Sequence, residues 1–395
     1  MSDTVSSIET LTLDLPPSCI EFCPAHPDYF LVGTYDLEQD EKRASGDSSR
    51  PQNRNGSVLI FQLQDKKLLC LQTEPQPSAV LDLHFQHKKD RQDVFAVASS
   101  TATLTIYRLS PSRYAGGLLE SLGTVSIPGV GEDVLFLACA WHPDIPDLIA
   151  ISTSSGAVYI LNLLQTGDSG GVDVQPVILH HLEAWTVAFQ PAVCHQTLNG
   201  TVVSTLYSGG DDSKLRYTSC TVHSPSAPKD GLPPKTSLDA CILSGHGAGV
   251  TAILPLPIDM SDGGKVVLTG SYDDHIRVYS IQSPLDTGGA HQTSCLASKH
   301  LGGGVWRLKL VRQQPPDEDN CWQLRVLASC MHAGVRILDI NGDTSGNCQI
   351  YVVTRFEEHK SMNYGSDVQP GLSSLCVSTS FYDRLLCLWE MIGTE

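Results

Sequence analysis

One unit constrains this chain more than any other: a short apolar run ends in a small-residue turn and is answered at once by a second apolar run. It is clearest in Val267-Leu268-Thr269-Gly270-Ser271-Tyr272-Asp273-Asp274-His275-Ile276-Arg277-Val278-Tyr279. β-Branched residues favour extended backbone, and a turn aspartate can accept hydrogen bonds from N–H groups that the bend leaves unpaired. The unit therefore reads as a hairpin. Seven copies are alignable: 31–35 with 58–61, 95–99 with 104–107, 148–152 with 158–161, 206–212 with 215–217, the segment quoted above, 326–332 with 335–338, and 376–383 with 386–389.

A further short apolar run precedes each copy, at 20–22, 80–83, 137–141, 186–189, 250–253 and 305–308, with a weaker seventh near 364–368. A four-stranded unit repeated in this way cannot bury its faces alone and stacks radially into a β-propeller. The expected fold is all-β, a seven-bladed WD40-type propeller in which the preceding runs are the innermost strands. Only the fifth copy carries the Gly-His signature of such repeats, as Gly245-His246, and no copy ends in a literal Trp-Asp. The alternating run Thr10-Leu11-Thr12-Leu13-Asp14-Leu15 is expected to supply the outermost strand of the last blade, closing the ring and removing its free edges.

The repeat runs from about residue 20 to 389, so one domain over 1–395 is expected, with polar, disorder-prone loops at about 38–56, 167–175, 223–236, 283–294 and 340–347. No stretch approaches the roughly 18 apolar residues of a membrane span. The N-terminus, Met1-Ser2-Asp3-Thr4, lacks the basic and apolar regions of a signal peptide, so a cytoplasmic protein without a membrane span is expected. Its 13 cysteines are scattered, mostly beside Val and Leu and never at zinc-site spacing; they read as reduced, small buried hydrophobes. A net charge of −17 without clustered Lys and Arg argues against nucleic acid. No cofactor or metal is implied, and a monomer is expected.

On a propeller, the turns and the starts of the innermost strands converge at one end of the channel, where function usually resides. The residue before the turn aspartate is Asp211 in the fourth copy, Tyr272 in the fifth, Met331 in the sixth and Tyr382 in the seventh. Trp185, Trp306 and Tyr364 stand where innermost strands begin. Taken singly, each aromatic is more simply packing; aligned by repeat position, the set reads as a site.

The sixth copy differs in its turn: His332 stands where the fourth, fifth and seventh copies have Asp212, Asp273 and Asp383. Its imidazole could cap the turn, or act as a general base. Cys330 invites a Cys/His pairing but aligns with Ser271, which favours a core role. Glu183 and Asp211 could orient His332 or attract a cation, and a solvated carboxylate is the simpler reading of Glu183. Gly302-Gly303-Gly304 enters a strand; it permits close backbone approach or presents N–H groups to an oxyanion. No nucleophile elbow, phosphate-binding loop or zinc helix is present.

Together, Glu183-Ala184-Trp185, Tyr207 to Asp212, Thr269 to His275, Gly303-Gly304-Val305-Trp306-Arg307, Cys330-Met331-His332-Ala333-Gly334, Tyr364-Gly365 and Ser380-Phe381-Tyr382-Asp383 resemble the diphthine methyl ester hydrolase family, WD-repeat proteins of diphthamide biosynthesis. The match is close through blades four to seven and thin in blades one to three. The resemblance implies hydrolysis of the methyl ester of methylated diphthine on translation elongation factor 2. Diphthine carries a trimethylammonium group, which aromatic cages hold; Trp185, Tyr272, Trp306, Tyr364 and Tyr382 would supply the cage, with Asp211 or Glu183 adding charge. For the chemistry, His332 or, second, Cys330 would activate water while the backbone near Gly303 and Gly304 steadies the oxyanion; the resemblance itself does not assign these roles. The alternative is a non-catalytic WD-repeat scaffold, for example in endosomal trafficking, whose rim binds a peptide.

Overall fold

The alternation of buried and accessible positions that defines each repeat is realised as seven sheets, antiparallel but for one added N-terminal strand. The structure is a computed structural model describing residues 2–37, 54–112, 117–165, 174–191, 197–198, 201–223, 235–236, 239–290, 292–371 and 374–392. Blades one to seven have as innermost strands Pro17–Phe22, Val80–Phe85, Phe136–Trp141, Ala184–Phe189, Val250–Asp259, Arg307–Gln314 and Ser366–Val368. The weak seventh run is thus a true inner strand, only three residues long. No helix among the described residues is long and apolar enough to cross a membrane.

Apolar side chains fill the spaces between neighbouring sheets. Leu256, Val266, Ile276, Trp322 and Leu338 pack between blades five and six, and Phe22, Phe30, Phe61 and Leu386 between blades seven and one. Each such side chain, fully removed from water, contributes about 1.5–3 kcal/mol before the entropy of ordering it.

The ring closes through the N-terminal segment, with a different register from the one expected. Ser7–Thr12, rather than 10–15, pairs antiparallel with Leu385–Glu390 as the outer strand of blade seven. Leu13 turns into the core instead and its N–H donates to the Arg384 carbonyl at 2.8 Å. A second clasp was not anticipated: Asp3–Val5 adds in parallel to Cys348–Phe356, the outer strand of blade six. Between the two clasps, the Glu358 carboxylate accepts hydrogen bonds from the Ser7 N–H and hydroxyl. One short segment therefore ties two blades together.

Two expected loops are more ordered than their composition suggests. In 340–347 the strand Val335–Asp343 continues to Asp343, whose carboxylate then accepts the Ser345 and Asn347 N–H groups at 2.9 and 3.1 Å. In 283–294, Gly289 N–H donates to the Pro284 carbonyl at 2.7 Å, and a strand begins at Thr293. Most of the other three runs (38–53, 167–173 and 224–234) lies outside the described residues. Among the described cysteines all are free; most are buried, but Cys70, Cys295 and Cys321 are exposed on strands that face solvent.

Candidate functional site at the channel rim

The turn carboxylates of blades four, five and seven are engaged in holding the fold. In blade four, Asp212 accepts from the His181 N–H at 3.1 Å and from Arg216 at 2.6 Å, and meets His180 Nδ1 at 3.0 Å; His180 Nε2 lies 3.1 Å from Ser208 Oγ. In blade five, Asp273 takes the Gly247 N–H at 2.6 Å and both Arg277 guanidinium nitrogens, while His246 meets Thr269 at 2.9 Å. In blade seven, Asp383 accepts the Lys360 N–H, and Ser378 Oγ sits 3.0 Å from His359 Nε2 and accepts the Trp389 indole N–H at 3.0 Å. His180 and His359 thus repeat the role of His246 although neither follows a glycine, which is why sequence comparison missed them.

Blade six lacks this arrangement. Its turn closes on backbone alone, with Cys330 N–H to Gly334 O at 2.8 Å and Ala333 N–H to Cys330 O at 2.9 Å. His332 is exposed and forms no hydrogen bond or ion pair among the described residues, so it does not cap the turn and neither Asp211 nor Glu183 orients it. At Gly303 a Cβ would lie 2.3 Å from the Cys330 carbonyl oxygen. At Gly304 a Cβ would lie 2.6 Å from Met331 Sδ. Close backbone approach accounts for both glycines.

Cys330 is a correction to the expected catalytic set. It is fully buried in the core between blades five and six, and burial pushes its thiol up to about 12. A protonated, inaccessible thiol is not a nucleophile.

The rim aromatics do converge. Trp306 is the hub, with ring centroids 5.6 Å from Trp185, 5.8 Å from Tyr272 and 4.9 Å from Tyr364. Trp185 and Tyr272 complete a triangle at 6.2 Å, edge to face. All four rings are half-buried. Asp211 accepts the Trp185 indole N–H at 3.0 Å, and its own N–H donates to the Glu183 carbonyl at 2.8 Å. The Tyr272 phenol is pushed up, first by burial, then by Tyr364 and the negative charges of Asp211 and Glu183. Aromatic faces and carboxylates therefore share one patch.

Tyr382 does not join that patch directly. It is 70% exposed and packs on Phe381, which in turn meets Tyr364 at 5.4 Å and Tyr35 at 6.1 Å. Alignment from the turn aspartate selected Tyr382, but the blade-seven turn is one residue longer, Ser380 to Asp383 against Ser271 to Asp273. Counting from the strand end gives Tyr35, Asp211, Tyr272 and Phe381. Each of these donates its N–H to a carbonyl just ahead of the inner strand: Pro16, Glu183, Gly249 and Met362, at 2.8–2.9 Å. Blades two and three hold Ser100 and Ser154 in the same bond, to Ala79 and Leu135. The signal that finds Tyr35 and Phe381 is this register.

Immediately after Trp306 begins a second constellation that sequence reading missed. Arg307 and Lys309 project from the inner strand of blade six into the channel. Arg307 donates to Asp82 of blade two at 2.7 Å; Lys309 meets Glu21 of blade one and Asp367 of blade seven at 3.3 and 3.2 Å. His84 bridges the acids, 2.9 Å from Glu21 and 3.3 Å from Asp82. Burial opposes charge on His84, but Asp82 and Glu21 outweigh it and raise the imidazole to about 10. Burial likewise opposes ionisation of Glu21, and Lys309 and His84 outweigh it, lowering that carboxyl to about 2. The acids also accept N–H groups of the next blade: Asp367 from Phe22, Glu21 from Phe85 and Asp82 from Cys139, at 2.8–3.1 Å. Among the described residues no three His, Cys, Asp or Glu side chains converge as a metal site.

No family model matches the chain. A Schizosaccharomyces pombe protein curated as a diphthine methyltransferase is 28% identical over 382 residues, covering 96% of each chain. A mouse protein of the same name is 28% identical over 92% of this chain and 69% of its own length, and one from Saccharomyces cerevisiae 25% identical over 98% of both. A chain of the mitotic checkpoint complex superposes with a TM-score of 0.58 at 12% identity, covering 98% of this chain and 92% of that one, a likeness of fold alone.

Proposed function

The chain belongs to the family of proteins curated as diphthine methyltransferases, and from that premise we propose that it is a carboxylic ester hydrolase of diphthamide biosynthesis, removing the methyl ester from methylated diphthine on translation elongation factor 2. The observation that supports this reading is the Trp185–Tyr272–Trp306 triangle with Asp211 bonded to its edge. A cation seated over the three rings lies within the ~6 Å of each centroid at which a quaternary ammonium is attracted by ring faces. Asp211 and Glu183 add negative charge.

In the proposed reaction His332 takes a proton from water as the water oxygen attacks the ester carbonyl. The bond to the methoxy oxygen then breaks, the proton is returned to it, and methanol leaves behind a carboxylic acid. His332 suits this because no group among the described residues hydrogen-bonds its ring; the Gly303 and Gly304 amides, beside Trp306, are the proposed oxyanion donors. The test is the mass of the modified substrate protein after incubation with this protein alone. A loss of about one methylene is expected; an unchanged mass overturns the hydrolase reading and leaves a scaffold, and a gain of the same size indicates methyl transfer instead.

A further inference from the structure

Trp306 is held in an unusual way. On its N-terminal side lies the glycine loop, and its own N–H is bonded to the Ser329 carbonyl at 2.8 Å. Its C-terminal neighbour Arg307 reaches Asp82, on a blade three positions away in a ring of seven, which is as far as two blades can be. The inner strand of blade six is also the least buried of the inner strands, with no fully buried position over Arg307–Gln314, whereas Pro17–Phe22 is buried throughout. A turn histidine, His246, helps secure the rim in blade five; blade six has none, and to the apolar packing of Val305, Leu308 and Leu310 it adds the channel ion pairs.

We propose that Arg307 is a positioning residue for the rim: its cross-channel ion pair with Asp82 fixes the start of the blade-six inner strand and thereby the Trp306 ring on which Trp185, Tyr272 and Tyr364 converge. The salt bridge is the means because Asp82 is 1% exposed and its other oxygen accepts the Cys139 N–H at 3.0 Å, so the acid cannot follow a moving arginine. Arg307 touches no ring of the cluster in this scheme and acts only through its neighbour. The consequence for ligand binding rests on the reading of the rim as a quaternary-ammonium site; the consequence for the ring's position does not.

The experiment uses the full chain, with tetramethylammonium as the probe. In Arg307→Met the tryptophan emission is expected to shift, and the shift is expected to disappear when the same change is made in a Trp306→Phe background, which isolates Trp306 from the other four tryptophans. Tetramethylammonium affinity, read by quenching, is expected to fall roughly tenfold to a hundredfold, as a displacement of about 1 Å in a positioned group does. Arg307→Lys, which keeps a cation opposite Asp82, is expected to restore much of both. Wild-type emission and affinity in a folded Arg307→Met protein overturn the proposal. Should that variant not fold, Asp82→Asn carries the test, since its amide oxygen still accepts the Cys139 N–H: the same emission shift supports the proposal and its absence overturns it. A wild-type protein that fails to bind tetramethylammonium breaks the cage reading instead, and the emission shift alone then decides the positioning role.

Discussion

Blade four and blade six are copies of one hairpin that are stabilised from opposite ends. Blade four is tied at its turn, where Asp212 gathers His180, the His181 N–H and Arg216. Blade six has no such knot; its turn closes on backbone bonds and its inner strand is anchored across the channel through Arg307 and Lys309. The difference teaches where function can be placed. A turn residue such as Asp212 is committed to holding the fold, whereas His332 has no hydrogen-bond or ion-pair partner among the described residues.

The largest expected effect separates the two turns by activity. His332→Ala should lower turnover by about 10²- to 10⁴-fold with an unchanged melting temperature; full turnover in the folded variant removes His332 from the mechanism. Next is stability. Asp212→Ala should cost about 3 kcal/mol, because Arg216 and His180 lose a partner that is only 8% exposed, while His332→Ala costs less than about 0.5 kcal/mol; urea midpoints compare them, and equal losses would erase the contrast between the blades.

The two tryptophans extend the comparison to binding. Trp306 of blade six meets three rings and Trp185 of blade four meets two. Trp306→Ala is therefore expected to raise KM about 30-fold, the equivalent of ~2 kcal/mol of cation–π attraction in a desolvated site, with a smaller rise for Trp185→Ala. Similar KM values for the two variants would show that the hub position carries no special weight.

Alkaline pH should loosen the channel cluster, where His84 of blade two bridges Glu21 of blade one and Asp82. His84 is raised from 6.5 to about 10 by Asp82 and Glu21, within a cluster that also faces Arg307, Lys309, Asp367 and His87. A group whose folded value is raised contributes its full stabilisation below its ordinary value and loses it as pH rises toward the folded one. The melting temperature is thus expected to decline between about pH 6.5 and 10, and His84→Gln should flatten that slope. A slope that survives in His84→Gln assigns it to another group. Cys330→Ala is the smallest effect, a loss of about 1 kcal/mol with unchanged turnover; loss of turnover without loss of stability would return Cys330 to the site.

Much of this molecule is legible in local pattern. Alternating apolar residues and small-residue turns recur at a spacing that only a radial array of hairpins satisfies, so the blades, their inner strands and the closing role of the N-terminus follow from the chain itself. The aromatic rim was legible too, because equivalent positions of a repeat fall on one face. Its edge was misplaced where a single extra turn residue moved Phe381, rather than Tyr382, onto the Tyr272 position. Residues 307 and 309 look like ordinary strand charges in sequence.

Repetition within one chain determined the architecture, because strand pairing inside a blade is a short-range matter of alternation and turn chemistry. What only the tertiary structure decided is everything that joins non-adjacent blades. The pairing of Arg307 with Asp82, 225 positions away in the sequence, depends on ring closure, which brings opposite inner strands to one channel. So does the second clasp of Asp3–Val5 on blade six, and the difference between a buried Cys330 and an exposed His332 two residues later. Period can be read from a line of residues; which side chains meet across a closed ring is set by the ring.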